Sequence, residues 1–197
     1  MTFVRRCLVA SLFLLVACGP GRPDVRTSPT SIVPVIGPGG DPTTIEDLGA
    51  MPEKACGDAP LVKVMPTDCR RLIGGAQSSG GDTDPTVAAF DGDVCSIWSA
   101  GGPPPRGVAI DFGKKQMVSG LVVIPAMEEK AKVRHVIEGS DDALTWHTLY
   151  IVEAEMIGGH AYAVKLPQPF SARAVRVSTT QGSKWVAWRE VAPLACK

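Results

Sequence analysis

The sequence predicts an all-β protein built on a single antiparallel β-sandwich. Three observations predict it. Glycine (21) and proline (17) are both abundant in 197 residues, so turns are frequent. No long amphipathic helical repeat runs through the chain. From Leu72 onward, short apolar segments of strand length recur between clusters of Gly, Pro, Asp and Ser. The length and the 45% hydrophobic content support one core with appendages rather than two full domains. Basic and acidic residues balance at 20 each, so no bulk field recruits nucleic acid or an anionic surface, and no nucleic-acid partner is expected.

The chain opens with a charged start, Arg5 and Arg6, followed by an apolar run from Leu8 to Ala17 that is shorter than a bilayer span requires. Residues 1–17 read as a signal peptide. The run ends in Leu15-Val16-Ala17-Cys18, which resembles the lipobox of bacterial lipoproteins. That resemblance implies lipidation of Cys18 as the mature N-terminus and attachment to membrane through an acyl anchor. Gly19 stands where an aspartate would imply retention at the inner membrane, so the implied location is the cell envelope, at the outer membrane.

Residues 18–55 come next, rich in proline and glycine (Pro20, Pro23, Pro29, Pro34, Pro38, Gly39, Gly40, Pro42, Pro52) and without a sustained hydrophobic period. They are expected to be a disordered tether, with ends roughly 35 Å apart on average for a flexible coil of this length. The domain is expected over 56–197. Within it Val108, Ile110 and Phe112 alternate with small or polar residues, Leu121 to Ile124 is continuously apolar, and Val133, His135 and Ile137 alternate again, which puts His135 on an inward-facing position. Thr148 to Val152, Tyr162 to Leu166, Ala174 to Ser178 and Val186 to Leu194 complete the candidate strands. Strand and helix do not alternate, which disfavours a parallel sheet.

Several of these signals stand in a fixed order. Ala76-Gln77-Ser78-Ser79 is followed by Ala89-Phe90-Asp91-Gly92-Asp93, Ile97-Trp98-Ser99 and Val108-Ala109-Ile110-Asp111-Phe112-Gly113. Then come Ser140-Asp141-Asp142-Ala143-Leu144-Thr145-Trp146, Ala172-Arg173-Ala174-Val175-Arg176-Val177 and Val186-Ala187-Trp188-Arg189-Glu190-Val191. From about residue 70 to 196 the chain resembles the discoidin superfamily, which includes the coagulation factor V/VIII type C domains and family 32 carbohydrate-binding modules. The resemblance implies a jelly-roll β-sandwich of the galactose-binding-domain-like kind. Trp98, just past the Asp-Gly turn, is expected to plug one end of the sandwich, and Arg176 to pair on the sheet. One position departs from the pattern. Ala143 stands where the family has glycine, so a left-handed backbone there would cost about 1 kcal/mol, and the turn is expected to take another shape.

With Cys7 discarded in the leader and Cys18 given to lipid, Cys56, Cys69, Cys95 and Cys196 remain, which suggests two disulfides in an exported chain. Three pairings are open. Because chain ends lie close in discoidin-like sandwiches, the resemblance implies Cys196 bonded to Cys56 or Cys69, with Cys95 taking the remaining partner.

The resemblance also implies two sites. A structural calcium ion would be held by Asp91, Ser96 and Glu190, with carbonyls around Ala88 and Asp93. Calcium takes six to eight oxygens, and this set offers only oxygens. The metal-free alternative is a turn capped by Asp91, with Glu190 paired to Arg189 or Arg173. A sugar site at the loop end would use Trp185 for stacking and Lys184 beside it. The loop from Met127 to Lys132 would face them with Glu128, Glu129, Lys130 and Lys132, and Arg134 stands at the following strand start. No catalytic constellation is found: the three histidines (His135, His147, His160) have no metalloprotease spacing, and no nucleophile elbow or phosphate loop is present. The expected function is that of a non-enzymatic, membrane-anchored module that binds carbohydrate at the envelope. The alternative is a module for protein interaction or envelope assembly, with a protein partner and no sugar ligand.

Overall fold

A computed structural model describes residues 44–52, 56–79, 85–182 and 184–197. The leader, Cys18, the tether up to residue 43, and residues 53–55, 80–84 and 183 lie outside the described residues. The strands are β1 (Thr44–Ala50), β2 (Cys69–Arg71), β3 (Gly75–Ser79), β4 (Trp98–Ser99), β5 (Arg106–Pro125), β6 (Ala131–Ser140), β7 (His147–Met156), β8 (His160–Gln181) and β9 (Ala187–Cys196). A one-and-a-half-turn helix α1 (Ala59–Val64) precedes β2, and a short 3-10 turn (Thr86–Ala89) precedes the Asp91 loop. No helix among the described residues is long and apolar enough to cross a membrane.

All strand pairings are antiparallel, and two long strands serve both layers of the sandwich. The first half of β5 pairs with β3 and with the second half of β8 (Ile110 opposite Val175), and that part of β8 continues to β6 and β7. After irregularities at Asp111/Gln116 and Val118/Gly120, the second half of β5 pairs with the first half of β8 (Leu121 opposite Val164) and with β9. β1 adds to β8 on one side of this second layer and β2 to β9 on the other. The segments Val108–Phe112 and Leu121–Ile124, expected as separate strands, are thus two halves of one strand that changes layer. Tyr162–Leu166 and Ala174–Ser178 relate in the same way within β8.

Period-two alternation explains the packing. Val108 and Ile110, Leu121 and Val123, Val133 and Ile137, and Val175 and Val177 all enter the core between the layers, with Trp98 and Trp188 fully buried among them. Val122 and Ile124, the alternate residues of the continuous run, face the other way into a second apolar cluster with Leu61, Val94, Ala161, Ala192 and Leu194. Leu48 and Met51 pack against it. The second layer is therefore buried on both faces, and a strand with no polar face is what that burial requires.

This second cluster corrects the expected tether boundary. Thr44–Ala50 is a strand, with Ile45 opposite Val164 and Met51 N–H donating to Gly159 O at 2.8 Å. Its Ile45 packs against the first cluster and its Leu48 against the second. The cysteines pair as Cys69–Cys196 and Cys56–Cys95. Cys69 and Cys196 face one another in the register of β2 and β9, so the closing strand is bonded covalently to the start of the domain. The turn at Ala143 differs from expectation: Ala143 keeps the left-handed backbone at φ 62°.

Candidate functional site

Two neighbouring constellations occupy loops around the closing strand. The first is the loop from Phe90 to Ile97. Ser96 Oγ lies 3.0 Å from Ala88 O, 3.0 Å from Asp91 Oδ1 and 2.9 Å from Asp93 O. A hydroxyl has one proton to donate, so two of these three contacts bring oxygen lone pairs together with no proton between them. Oxygens about 2.4 Å from a calcium ion and about 72° apart are themselves about 2.8 Å from each other. The spacing around Ser96 is close to that value. Asp91 Oδ1 also accepts the Asp93 N–H at 2.8 Å, which tightens the turn.

Glu190 rises from β9 beneath this loop, fully buried. Its Oε2 accepts the Gly92 N–H at 2.9 Å, while Oε1 has no hydrogen bond. Burial pushes its carboxyl up to about 8. The nearby cation is Arg71 of β2, whose Nη1 stands 3.6 Å from Glu190 Oε1 and donates to Phe90 O at 2.8 Å. The guanidinium lies across Gly92, at φ +84°, where any Cβ would meet Arg71 Nη2 at 2.7 Å. The expected metal-free pairing of Glu190 with Arg189 or Arg173 is not what the structure contains. Arg189 Nη1 donates to Val94 O at 3.1 Å, and Arg173 makes a two-pronged pair with Asp111 at 3.0 and 2.7 Å.

The same loop is tied to the segment ahead of β2 by the Cys56–Cys95 bond and by the Gly57 N–H donating to Asp93 Oδ1 at 2.8 Å. That bond and the Cys95 N–H hold the Asp93 carboxyl below its usual range. Cys56, Asp93 and Cys95 stand close enough to suggest metal ligation, but both sulfurs are spent in the disulfide. Ala88, Asp91, Asp93 and Ser96 thus bring oxygens together, and the Glu190 carboxylate, bonded to the Gly92 N–H and facing Arg71, lies buried beneath the same loop. This oxygen set fits a hard cation such as calcium. Arg71 is the participant that sequence reasoning missed, and no local motif announces it.

The second constellation is a cavity of about 350 Å³ between the β5–β6 and β8–β9 loops. Trp185, 46% exposed, and Lys184 line it from one side, and Met127, Glu128, Glu129 and Lys130 from the other. Gly182 lets the loops approach: a Cβ there would meet Lys132 O at 2.7 Å. Lys130 is held by Glu155 at 2.7 Å across the β6–β7 edge. The structure therefore brings Trp185, Lys184, Glu128 and Lys130 to one wall-to-wall site. Arg134 is a correction. It does not line this cavity; its Nε bonds Glu153 Oε1 at 3.1 Å on the outer face of β6. Its neighbours Val133 and His135 point into the core, so alternation turns Arg134 away. Arg176, as expected, pairs on the sheet: it grips Glu138 with two hydrogen bonds of 2.6 Å and lies 4.5 Å over the Trp146 ring.

The chain matches the family model of the F5/8 type C domain over residues 74–191. No curated relative matches it. Among solved structures, the family 32 carbohydrate-binding module of AlyQ, in complex with 4,5-unsaturated mannuronic acid, is similar at 17% identity and TM-score 0.55, covering 61% of this chain and 94% of its own. A pectin-binding carbohydrate-binding module is similar at 22% identity and TM-score 0.54, covering 63% and 91%. The first family 32 module of a family 31 glycoside hydrolase from Clostridium perfringens is similar at 20% identity and TM-score 0.54, covering 66% and 96%. At these identities the likeness is one of fold.

Proposed function

The chain belongs to the F5/8 type C, or discoidin, family, and on that premise we propose that it is a non-catalytic carbohydrate-binding module. The observation that carries this reading is the cavity beside Trp185. It joins a half-exposed indole face to charged side chains (Glu128, Lys130, Lys184) that can hydrogen-bond hydroxyls. Sugar rings present C–H faces to aromatic planes and hydroxyls to polar rims, and a mostly apolar cleft with a few placed polar groups suits both. The neighbours named for mannuronic acid and pectin point to the same ligand class. A glycan array probed with the wild type and with Trp185→Ala tests it. Binding to a restricted set of glycans that disappears in the variant is expected. Equal, weak signals from both proteins would overturn the reading.

Calcium belongs to the proposal as a structural ion. Ala88, Asp91, Asp93, Ser96 and Glu190 would hold it, and it would supply the positive charge that the oxygen cluster around Ser96 and the buried Glu190 carboxyl call for. Calorimetric titration of calcium-stripped protein should show binding and a raised melting temperature. The absence of both would remove the ion from the reading. The module is further proposed to be held at the cell envelope, at the outer membrane, through an acyl chain on Cys18. This part rests on the sequence from Arg5 to Gly19. Metabolic labelling with a clickable palmitate analogue should mark the wild type and not Cys18→Ala.

A further inference from the structure

A second cavity, of about 410 Å³, adjoins the first and shares Trp185, Met127 and Glu128 with it. Beyond those shared walls it is lined by Ile97, His160 and Arg189, together with Ala50 and Met51. The last two lie ahead of the region that matches the family model, at the end of β1. This wall is therefore supplied by residues outside the stretch that matches the family model. It is firmly placed: Met51 N–H donates to Gly159 O and Gly159 N–H to Pro125 O, both at 2.8 Å, and His160 Nδ1 lies 3.1 Å from the Asp47 carboxylate of β1.

We infer that the loop end takes a glycan at two adjoining subsites that meet at Trp185, so that its ligand is an oligosaccharide of at least two units. The inference rests on the carbohydrate reading above and deepens it. Each cavity is near the lower limit of the volumes that hold small molecules, roughly 300 Å³. A ligand that occupies both must extend past the indole, which forms a common wall. The second cavity repeats the chemistry of the first. Ile97, 41% exposed, and Trp185 give apolar surface for a ring face, and Arg189 and His160 give nitrogen-bearing groups for ring and hydroxyl oxygens. An adjoining site adds affinity by making the second contact intramolecular, without any change in the first.

The test is calorimetry on the full chain with galactose, galacturonic acid and mannuronic acid, each as monomer, dimer and tetramer. For whichever sugar binds, the dimer should bind at least about tenfold more tightly than the monomer. Ile97→Ala and His160→Ala, which alter the second cavity alone, should each weaken the dimer about fivefold and the monomer less than about twofold. Trp185→Ala should weaken both. Melting temperatures of the variants confirm that they are folded. Equal affinity of monomer and dimer, or an Ile97→Ala and a His160→Ala that leave the dimer unaffected, would overturn the two-subsite inference while leaving the carbohydrate reading in place. If none of the three series binds at any length, the two-subsite inference falls. The glycan array then decides separately whether the carbohydrate reading falls with it.

Discussion

Arg71 Nη1 stands 3.6 Å from Glu190 Oε1, joining a strand at the start of the domain to the closing strand beneath the Asp91 loop. Glu190 is buried, Arg71 is 22% exposed at its side chain, and the same guanidinium binds Phe90 O. The pair therefore holds together three separate stretches of chain.

Removing one member of such a pair leaves the other charge buried without compensation, which costs more than losing both. Above pH 8, where the Glu190 carboxyl is ionised, Arg71→Met should lower unfolding free energy by about 2–3 kcal/mol. Adding Glu190→Gln, which keeps an acceptor for the Gly92 N–H, should recover at least half of that loss. Urea denaturation of the two variants and the wild type measures this. A double variant no more stable than Arg71→Met would show that the contact is not energetically coupled.

His135 gives the fold an acid sensitivity. Its ring is buried on β6, with Nδ1 3.1 Å from Thr179 Oγ1, Nε2 unpartnered and the Trp188 ring centroid at 4.9 Å. Burial lowers its titration from 6.5 to about 3. Between those values the unfolded chain binds a proton that the folded chain refuses. The stability tied to this histidine is thus fully present above pH 6.5 and is lost as pH falls toward 3, at about 1.4 kcal/mol per pH unit well inside the window. His135→Gln should remove one proton's worth of slope from a plot of unfolding free energy against pH from 6.5 to 4.5. An unchanged slope would show that the ring is protonated in the folded protein.

The two disulfides should differ in what they hold. Cys69–Cys196 closes a separation of 127 residues and Cys56–Cys95 one of 39, which in the chain-entropy model correspond to about 5 and about 4 kcal/mol. Cys69→Ala with Cys196→Ala should lower stability by the larger amount. Cys56→Ala with Cys95→Ala should also speed amide exchange at Gly92 to Ser96, because that bond and the Gly57 hydrogen bond fasten the Asp91 loop. Equal exchange in both double variants would contradict the assignment.

The parts of this fold legible in the sequence are those where one strand decides its own environment. Val108/Ile110 and Val133/Ile137 announced inward faces, and the unbroken run Leu121–Ile124 announced a strand with no solvent face, which Val122 and Ile124 explain by entering the second cluster. The order of motifs brought Asp91, Ser96 and Glu190 together, and the loop pair placed Trp185 opposite Glu128. What stayed hidden depends on partners far along the chain. Thr44–Ala50 carries too few apolar residues to read as a strand and forms because the first half of β8 offers an open edge. Arg71 reaches Glu190 from β2, a three-residue strand held against β9 by its register and by the Cys69–Cys196 bond. The alternation that buries His135 also turned Arg134 away from the loop end.

The turn before Trp146 tests how much conformational cost one residue carries. Ala143 holds φ 62°, a region in which Cβ crowds the following carbonyl and which costs an alanine about 1 kcal/mol or more. The turn is kept in that shape by Asp142, whose Oδ1 accepts the Leu144 and Thr145 N–H groups at 2.8 and 2.7 Å and the Ser140 hydroxyl at 2.9 Å. Those bonds also hold the Asp142 carboxyl well below the usual carboxylate range. Ala143→Gly removes the Cβ clash and adds some freedom to the unfolded chain, worth about 0.4–1 kcal/mol in the opposite direction. Because the clash is the larger effect, the variant should be more stable by up to about 1 kcal/mol. Asp142→Ala should be less stable than the wild type, since it leaves two N–H groups without their acceptor. A destabilised Ala143→Gly would mean that the left-handed backbone at this position is not under strain.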